Sequence, residues 1–270
     1  MLTNKEITAK ARESLRGKWL KAALLTLVFI AATFIGIFLI EKGFGLIMGE
    51  SLSNEFFGTI LISVAELCLV FPMGIGYTCF FNRLVSGERA LFSNLHRPYR
   101  TKYWRNVVMM AIQYLAGFIA GVVAFIPVII AVGIAALETV DPENLSAAQL
   151  MEESLMSGDV LFPILIGSII ACAIFAAFFF IIYPPAVICY YIASVTKKIT
   201  AVGIIKQSFA LLKGHKTQFW MLNLRITGWV ILAAITFGIG FLWLAPYIST
   251  IFAVYYQEIK KQYALEHPEA

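Results

Sequence analysis

Five stretches of this chain run for at least 19 residues with no more than one charge each: 22–40, 56–82, 106–137, 160–196 and 217–257. A helix needs roughly 20 apolar residues to cross about 30 Å of hydrocarbon. Core helices of soluble proteins almost never supply runs of this length. The chain must therefore bury helices in a bilayer.

Composition agrees. Of 270 residues, 60% are hydrophobic and 14% charged, against about 45–50% and about 25% in a soluble domain. That excludes an ordinary soluble enzyme, a disordered chain and a disulfide scaffold.

The last run spans 41 residues, about 60 Å as one helix at about 1.5 Å per residue. Gly238 and Gly240 near its middle, with Pro246 beyond them, predict that one helix stops and another starts there. Pro127, Pro184 and Pro185 kink or end the long middle spans instead. The sequence thus predicts an all-α, polytopic membrane helix bundle forming a single domain over residues 1–270. Its six transmembrane helices cover about 20–40, 57–81, 106–130, 161–190, 219–237 and 241–257. They form three hairpins with both termini in the cytoplasm.

Charge placement sets that orientation. Of 21 basic residues, 19 lie in segments 1–21, 82–105 and 197–216 or at the C-terminus. The opposite loops, 41–55 and 138–159, hold one basic residue and nine acids. Cytoplasmic loops carry the excess of Lys and Arg. The basic residues flank spans rather than form one aromatic-interleaved patch, which argues against nucleic acid. Residues 1–21 do not fit a secretory n-region, so the first helix is expected to be a retained anchor.

The three basic segments look alike. Each has helical spacing and feeds a span through an aromatic residue. In the first, Thr3 and Glu6 have capping-box spacing, and Ile7, Ala11, Leu15 and Trp19 share a face. The second runs from Gly87 through Leu91, Phe92 and Leu95 to Tyr103 and Trp104. The third places Val202, Ile205, Phe209 and Leu212 on one stripe, ahead of Gly214, Phe219 and Trp220. Such basic amphipathic helices suit the cytoplasmic interface, held by apolar insertion and anionic headgroups. Generic basic flanks would look similar. Lys206, Lys213 and Lys216 are the candidate headgroup contacts.

Within the spans, Glu66 and Arg225 are the candidate functional residues, because ionisable groups there usually face a cavity, a partner or a pathway. Counting places Glu66 near mid-membrane and Arg225 within snorkelling reach of the inner headgroups. Gly117 and Gly121, with Ala116, Ala120 and Ala124, and in the next helix Gly167, Ser168, Ala171, Cys172 and Ala176, predict close contact between the third and fourth spans, with dimerisation through the same face as the alternative. The loop 138–159 has a helix signal at Ser146 and Gln149, and a conceivable cation site at Asp141, Glu143 and Asp159. No catalytic constellation, cofactor motif or metal-ligand spacing is present, and the four cysteines read as small apolar residues.

The C-terminal segment carries a family likeness. Ser208, Lys213, Gly214 and Lys216 precede Phe219. Gly228 and Trp229 follow, then Thr236, Gly238, Gly240, Trp243, Pro246 and Tyr247, with Tyr255 and Tyr256 closing the pattern. With Gly87, Glu88, Phe92, Ile126 and Pro127 upstream, this resembles the bacterial integral membrane family called domain of unknown function 975. A looser similarity exists to the membrane domain of membrane-anchored glycerophosphodiesterases. The resemblance implies a six-helix bacterial inner-membrane protein with no settled activity. Arg225, Lys197 and Lys198 depart from the usual pattern, so no family role is carried onto them.

The leading expectation is a non-enzymatic membrane protein that organises lipid, or a membrane partner, at the cytoplasmic leaflet. Its partners would be anionic lipids, with a membrane protein or a second copy possible; no cofactor is implied. The alternative is a small transporter or channel component that uses Glu66.

Overall fold

A computed structural model describes residues 2–48, 56–139, 161–196 and 198–267. The candidate sites in the loop 138–159 lie outside the described residues. Among those described, the regular structure is helical throughout.

Helix α1 spans Asn4–Leu15, and α2 spans Trp19–Met48. Helices α3, Phe56–Leu69, and α4, Pro72–Val85, follow. A 3₁₀ turn, Phe92–His96, leads into the short α5, Arg97–Arg100. The long α6 and α7 are Tyr103–Thr139 and Leu161–Val195. Then come α8, Ala201–Leu211, α9, Lys216–Ile235, and α10, Phe241–Glu266. Among the described residues, five helical stretches are long and apolar enough to cross a membrane: Trp19–Ile47, Gly58–Val85, Tyr103–Gly133, Phe162–Val195 and Lys216–Ile235. Helix α10 is not among them. Its sequence mixes aromatic and aliphatic residues with Thr250, Gln257 and Glu258.

The chain divides into two compact units. The first contains residues 1–111 and 184–270, and its core surrounds α10. Thr250 and residues 251–256 are buried, with Ile7, Ala11 and Leu15 of α1 and Phe80 and Phe81 of α4. Phe219 is fully buried, its ring 5.2 Å from Phe252 and 5.9 Å from Tyr255. Asn82 is paired within this core, while Asn94 Nδ2 is buried without a hydrogen-bond partner. Gln257 Nε2 donates to Asn82 O at 3.1 Å, Asn82 Oδ1 at 3.0 Å and Ser86 Oγ at 2.8 Å. The second unit is residues 112–183, the apolar shafts of α6 and α7. Phe118, Phe125, Ile129, Phe162, Ile169 and Phe180 are exposed on them.

Several expectations change. The span-length stretch over 58–85 is interrupted rather than one regular helix. The path breaks at Val70 and Phe71, whose N–H groups both reach Glu66 O, at 2.9 and 3.1 Å. Pro72 then occupies the first turn of α4, where its missing N–H costs least. Pro246 does not mark the break before α10. It lies inside that helix as its sixth residue, where its missing N–H gives up one bond of the ladder. Pro127, Pro184 and Pro185 likewise sit within continuous helices, and Pro184 begins the second stretch of the first unit.

The small-residue contact falls on part of the expected stripe. A Cβ at Gly117 or Gly121 would meet nothing within 4 Å. The close approach is at Gly167, where a Cβ would lie 2.9 Å from both Ala131 Cβ and Pro127 O. Ala120, Ala124 and Ala131 are buried. The contact thus uses Gly167 and the alanines of the expected stripe, not Gly117 and Gly121.

Candidate functional site

The three basic segments form different structures. Helix α1 has the expected capping box. Thr3 Oγ1 accepts from Glu6 N at 3.3 Å, and the Glu6 carboxylate accepts from Thr3 N at 2.7 Å and Thr3 Oγ1 at 2.8 Å. Those hydrogen bonds, from the Thr3 backbone first and its side chain second, hold the Glu6 carboxyl below its ordinary range. Helix α8 is capped similarly by Thr200, whose Oγ1 accepts from Gly203 N at 3.2 Å. Each helix ends near a left-handed glycine, Gly17 (φ +73°) or Gly214 (φ +81°), as the C-terminal turn of a helix favours. The second segment instead packs the 3₁₀ turn on α4. A Cβ at Gly76 would come within 2.6 Å of Asn94 O and Leu95 Cα.

The buried face of α8 is Ala201, Ile204, Ser208 and Leu211, not the expected stripe. Only Leu212 of that stripe is buried, while Val202 and Phe209 are exposed. The reason is tertiary: Ser208 turns inward, hydrogen-bonded through Oγ to Ile205 O at 2.7 Å and near Cys189 Sγ at 3.3 Å. Rotating α8 leaves apolar side chains outside beside its cations. Lys206 and Lys213 are exposed, and Lys216 Nζ stands 5.9 Å from the centre of the Phe209 ring.

This face continues into an open cavity of about 460 Å³ lined by Lys102, Trp104, Arg105, Lys198, Thr200 and Val202. Trp104 is 72% exposed. Lys102 adopts a left-handed φ of +54°, uncommon for a side chain without a local polar partner. Arg105 caps the end of α7, donating from Nη2 to Ala193 O at 3.0 Å and from Nη1 to Thr196 O at 2.5 Å. The sequence marks Trp104 only as an interfacial aromatic and Lys198 only as a departure from the family pattern, and does not single out Lys102 or Arg105. A clue was available, since each flanks an apolar run, but their convergence is tertiary.

A second cavity, also about 460 Å³, opens between α1, the start of α2 and the α9–α10 hairpin. Arg12, Trp19, Trp229, Leu232, Trp243 and Tyr247 contribute to its walls. The hairpin turn covers residues 236–240. Thr236 Oγ1 donates to Ala233 O at 2.7 Å and accepts from Gly240 N at 3.0 Å. Gly238 has φ +84°, and a Cβ on Gly240 would lie 2.9 Å from Ala233 Cα.

Glu66 and Arg225 are not brought together; among the described residues no ion pair joins them. Arg225 is exposed on α9. Glu66 stands within electrostatic range of Glu41 on α2, and Gly36 of α2 approaches Val70. Glu66 is therefore level with the charge that ends the apolar run of α2, not with its middle. Among the described residues, no three His, Cys, Asp or Glu side chains cluster as metal ligands.

The apolar helices define a helical membrane protein. The model of a family described as protein of unknown function, DUF975, matches residues 1–263. The chain belongs to that family. No curated protein and no solved structure matches it.

Proposed function

We propose that this protein is a non-enzymatic, multi-pass protein of the bacterial cytoplasmic membrane that binds anionic lipid at the cytoplasmic leaflet. The observation that carries this reading is the outward face of α8. Val202 and Phe209 point away from the core between Lys206, Lys213 and Lys216, and the face runs into the cavity of Lys102, Arg105, Lys198 and Trp104. Apolar side chains interleaved with lysines match an anionic headgroup layer, where insertion and charge act together. Each cation near such a surface is worth about 1 kcal/mol. Both termini face the cytoplasm in this reading, because the basic segments belong on that side.

Native mass spectrometry from nanodiscs tests it. The Lys206→Gln, Lys213→Gln, Lys216→Gln triple variant is expected to retain less phosphatidylglycerol than the parent while keeping its helical content. Unchanged retention overturns the reading.

A further inference from the structure

We propose that the α9–α10 hairpin does not cross the bilayer but ends inside one leaflet, the one that α2 enters at Trp19. Its lipid-buried tip is residues 235–243. This goes beyond the lipid-binding reading and stands without it.

The hairpin's arms are in antiparallel register. Tyr255 Oη donates to His215 O at 2.9 Å at the base, Phe219 meets Phe252 above it, and Gly240 meets Ala233 at the tip. Helix α1 lies along this hairpin. Gln218 Nε2 donates to Leu2 O at 2.8 Å near the base. Tyr247 Oη donates to Thr8 O at 3.4 Å midway. Arg12 then shares a cavity wall with Gly240 and Trp243. Helix α1 therefore climbs from the hairpin's base to about the level of Tyr247.

That helix and the turn after it carry Lys5, Glu6, Lys10, Arg12, Glu13, Arg16 and Lys18, all exposed. If the hairpin crossed the membrane, these charges would face hydrocarbon, which excludes unpaired ionised groups. Water or headgroups must therefore reach the level of Arg12 to Lys18.

Helix α2 starts at the same level, with the Trp19 ring 6.1 Å from the Tyr247 ring. From Trp19, α2 continues to Met48, a rise of about 45 Å, whereas from Tyr247 to Gly240 α10 rises on the order of 10 Å. That is a third of the roughly 30 Å of hydrocarbon. The composition changes at this level. Below it α9 carries Lys216, Gln218, Asn223 and Arg225. Above it Trp229, Ile235, Ile239 and Trp243 are exposed. Phe237 is fully exposed in a left-handed conformation, φ +52°, a strained state for an aromatic residue. An apolar tip of this kind fits the acyl region just below the headgroups.

The test is nitroxide depth measurement in nanodiscs. Ile239→Cys is made in a Cys68→Ser, Cys172→Ala background, where the remaining Cys79 and Cys189 are buried. Lys18→Cys and Glu41→Cys serve as references for the two surfaces, and Phe237→Cys is the second tip position. Oxygen accessibility relative to a water-soluble nickel chelate is expected to be severalfold higher at 239 than at either reference. The depth is expected to be shallow, on the Lys18 side. A chelate-accessible label at 239 overturns the proposal, whether it matches Glu41, meaning a full crossing, or Lys18, meaning a hairpin outside the membrane. Reaction of the Ile239→Cys thiol with an impermeant maleimide added outside intact cells overturns it as well.

Discussion

Helices α7 and α10 invert the ordinary relation between apolarity and burial. Helix α7 is among the most apolar segments of the chain, yet Phe162, Ile166, Ile169, Phe175 and Phe180 are exposed. Helix α10 carries threonine, tyrosines, glutamine and charges, yet Thr250 and residues 251–256 are buried. In water this would be unstable. In a bilayer it is expected, because acyl chains solvate an apolar helix as well as a protein core does. Only a helix enclosed by other helices has partners for its hydroxyl and amide groups. In this chain, apolarity marks contact with lipid and polarity with partners marks the core.

Breaking the packed side should produce the largest effects. Phe219→Ala empties a fully enclosed site among Phe252 and Tyr255. It is expected to cost about 3–5 kcal/mol, read as a lower denaturation midpoint in nanodiscs. Phe175→Ala, at an exposed position of α7, should leave that midpoint nearly unchanged; an equal loss would contradict the comparison.

Glycine substitutions sharpen the contrast within one unit. Gly167→Ala forces a Cβ against Ala131 and Pro127 and is expected to cost about 1–3 kcal/mol. Gly117→Ala points into open space and should be neutral, or stabilising by up to about 1 kcal/mol through helix propensity. Denaturation of the two variants side by side decides this. Next comes Gln257→Leu, which unpairs Asn82 Oδ1 and its carbonyl from one donor. The expected loss is about 1–3 kcal/mol, with faster amide exchange in α4.

The smallest effect belongs to the exposed capping box. The Glu6 carboxyl titrates below its ordinary range. Its contribution is therefore complete above the unfolded-state value of about 4.3 and fades as pH falls through the lower folded-state value. Protection of the first-turn amides of α1, taken relative to their intrinsic exchange rates, should fall as the pH drops through that lower value. Glu6→Gln, which keeps the acceptor but removes the charge, should flatten that dependence.

Much of this molecule is legible in the order of its residues. The long runs, the Thr3–Glu6 cap and the turn at Gly238 and Gly240 depend on local chemistry, which neighbouring residues display. The orientation of α8 is not legible there, because the expected stripe and the buried one differ by a small rotation that Ser208 and Cys189 decide. The GxxxG spacing misleads for a similar reason: Ala120 and Ala124 face the neighbour and the glycines do not. Glu66 reads as a mid-membrane group only when one run is counted alone. Its neighbours on α2, Gly36 and Glu41, set its level. The cavity of Lys102, Arg105 and Lys198 joins residues more than 90 positions apart, beyond the reach of any spacing rule.

By itself, then, the sequence determined that the chain is helical and which of its stretches lipid can solvate, because those properties sum over consecutive residues. Tertiary structure alone decided which face each helix buries, where the charges stand relative to their neighbours and which helix forms the core. Those depend on contacts between segments distant along the chain, where one hydrogen bond or one methyl-sized clash selects among faces of similar apolarity.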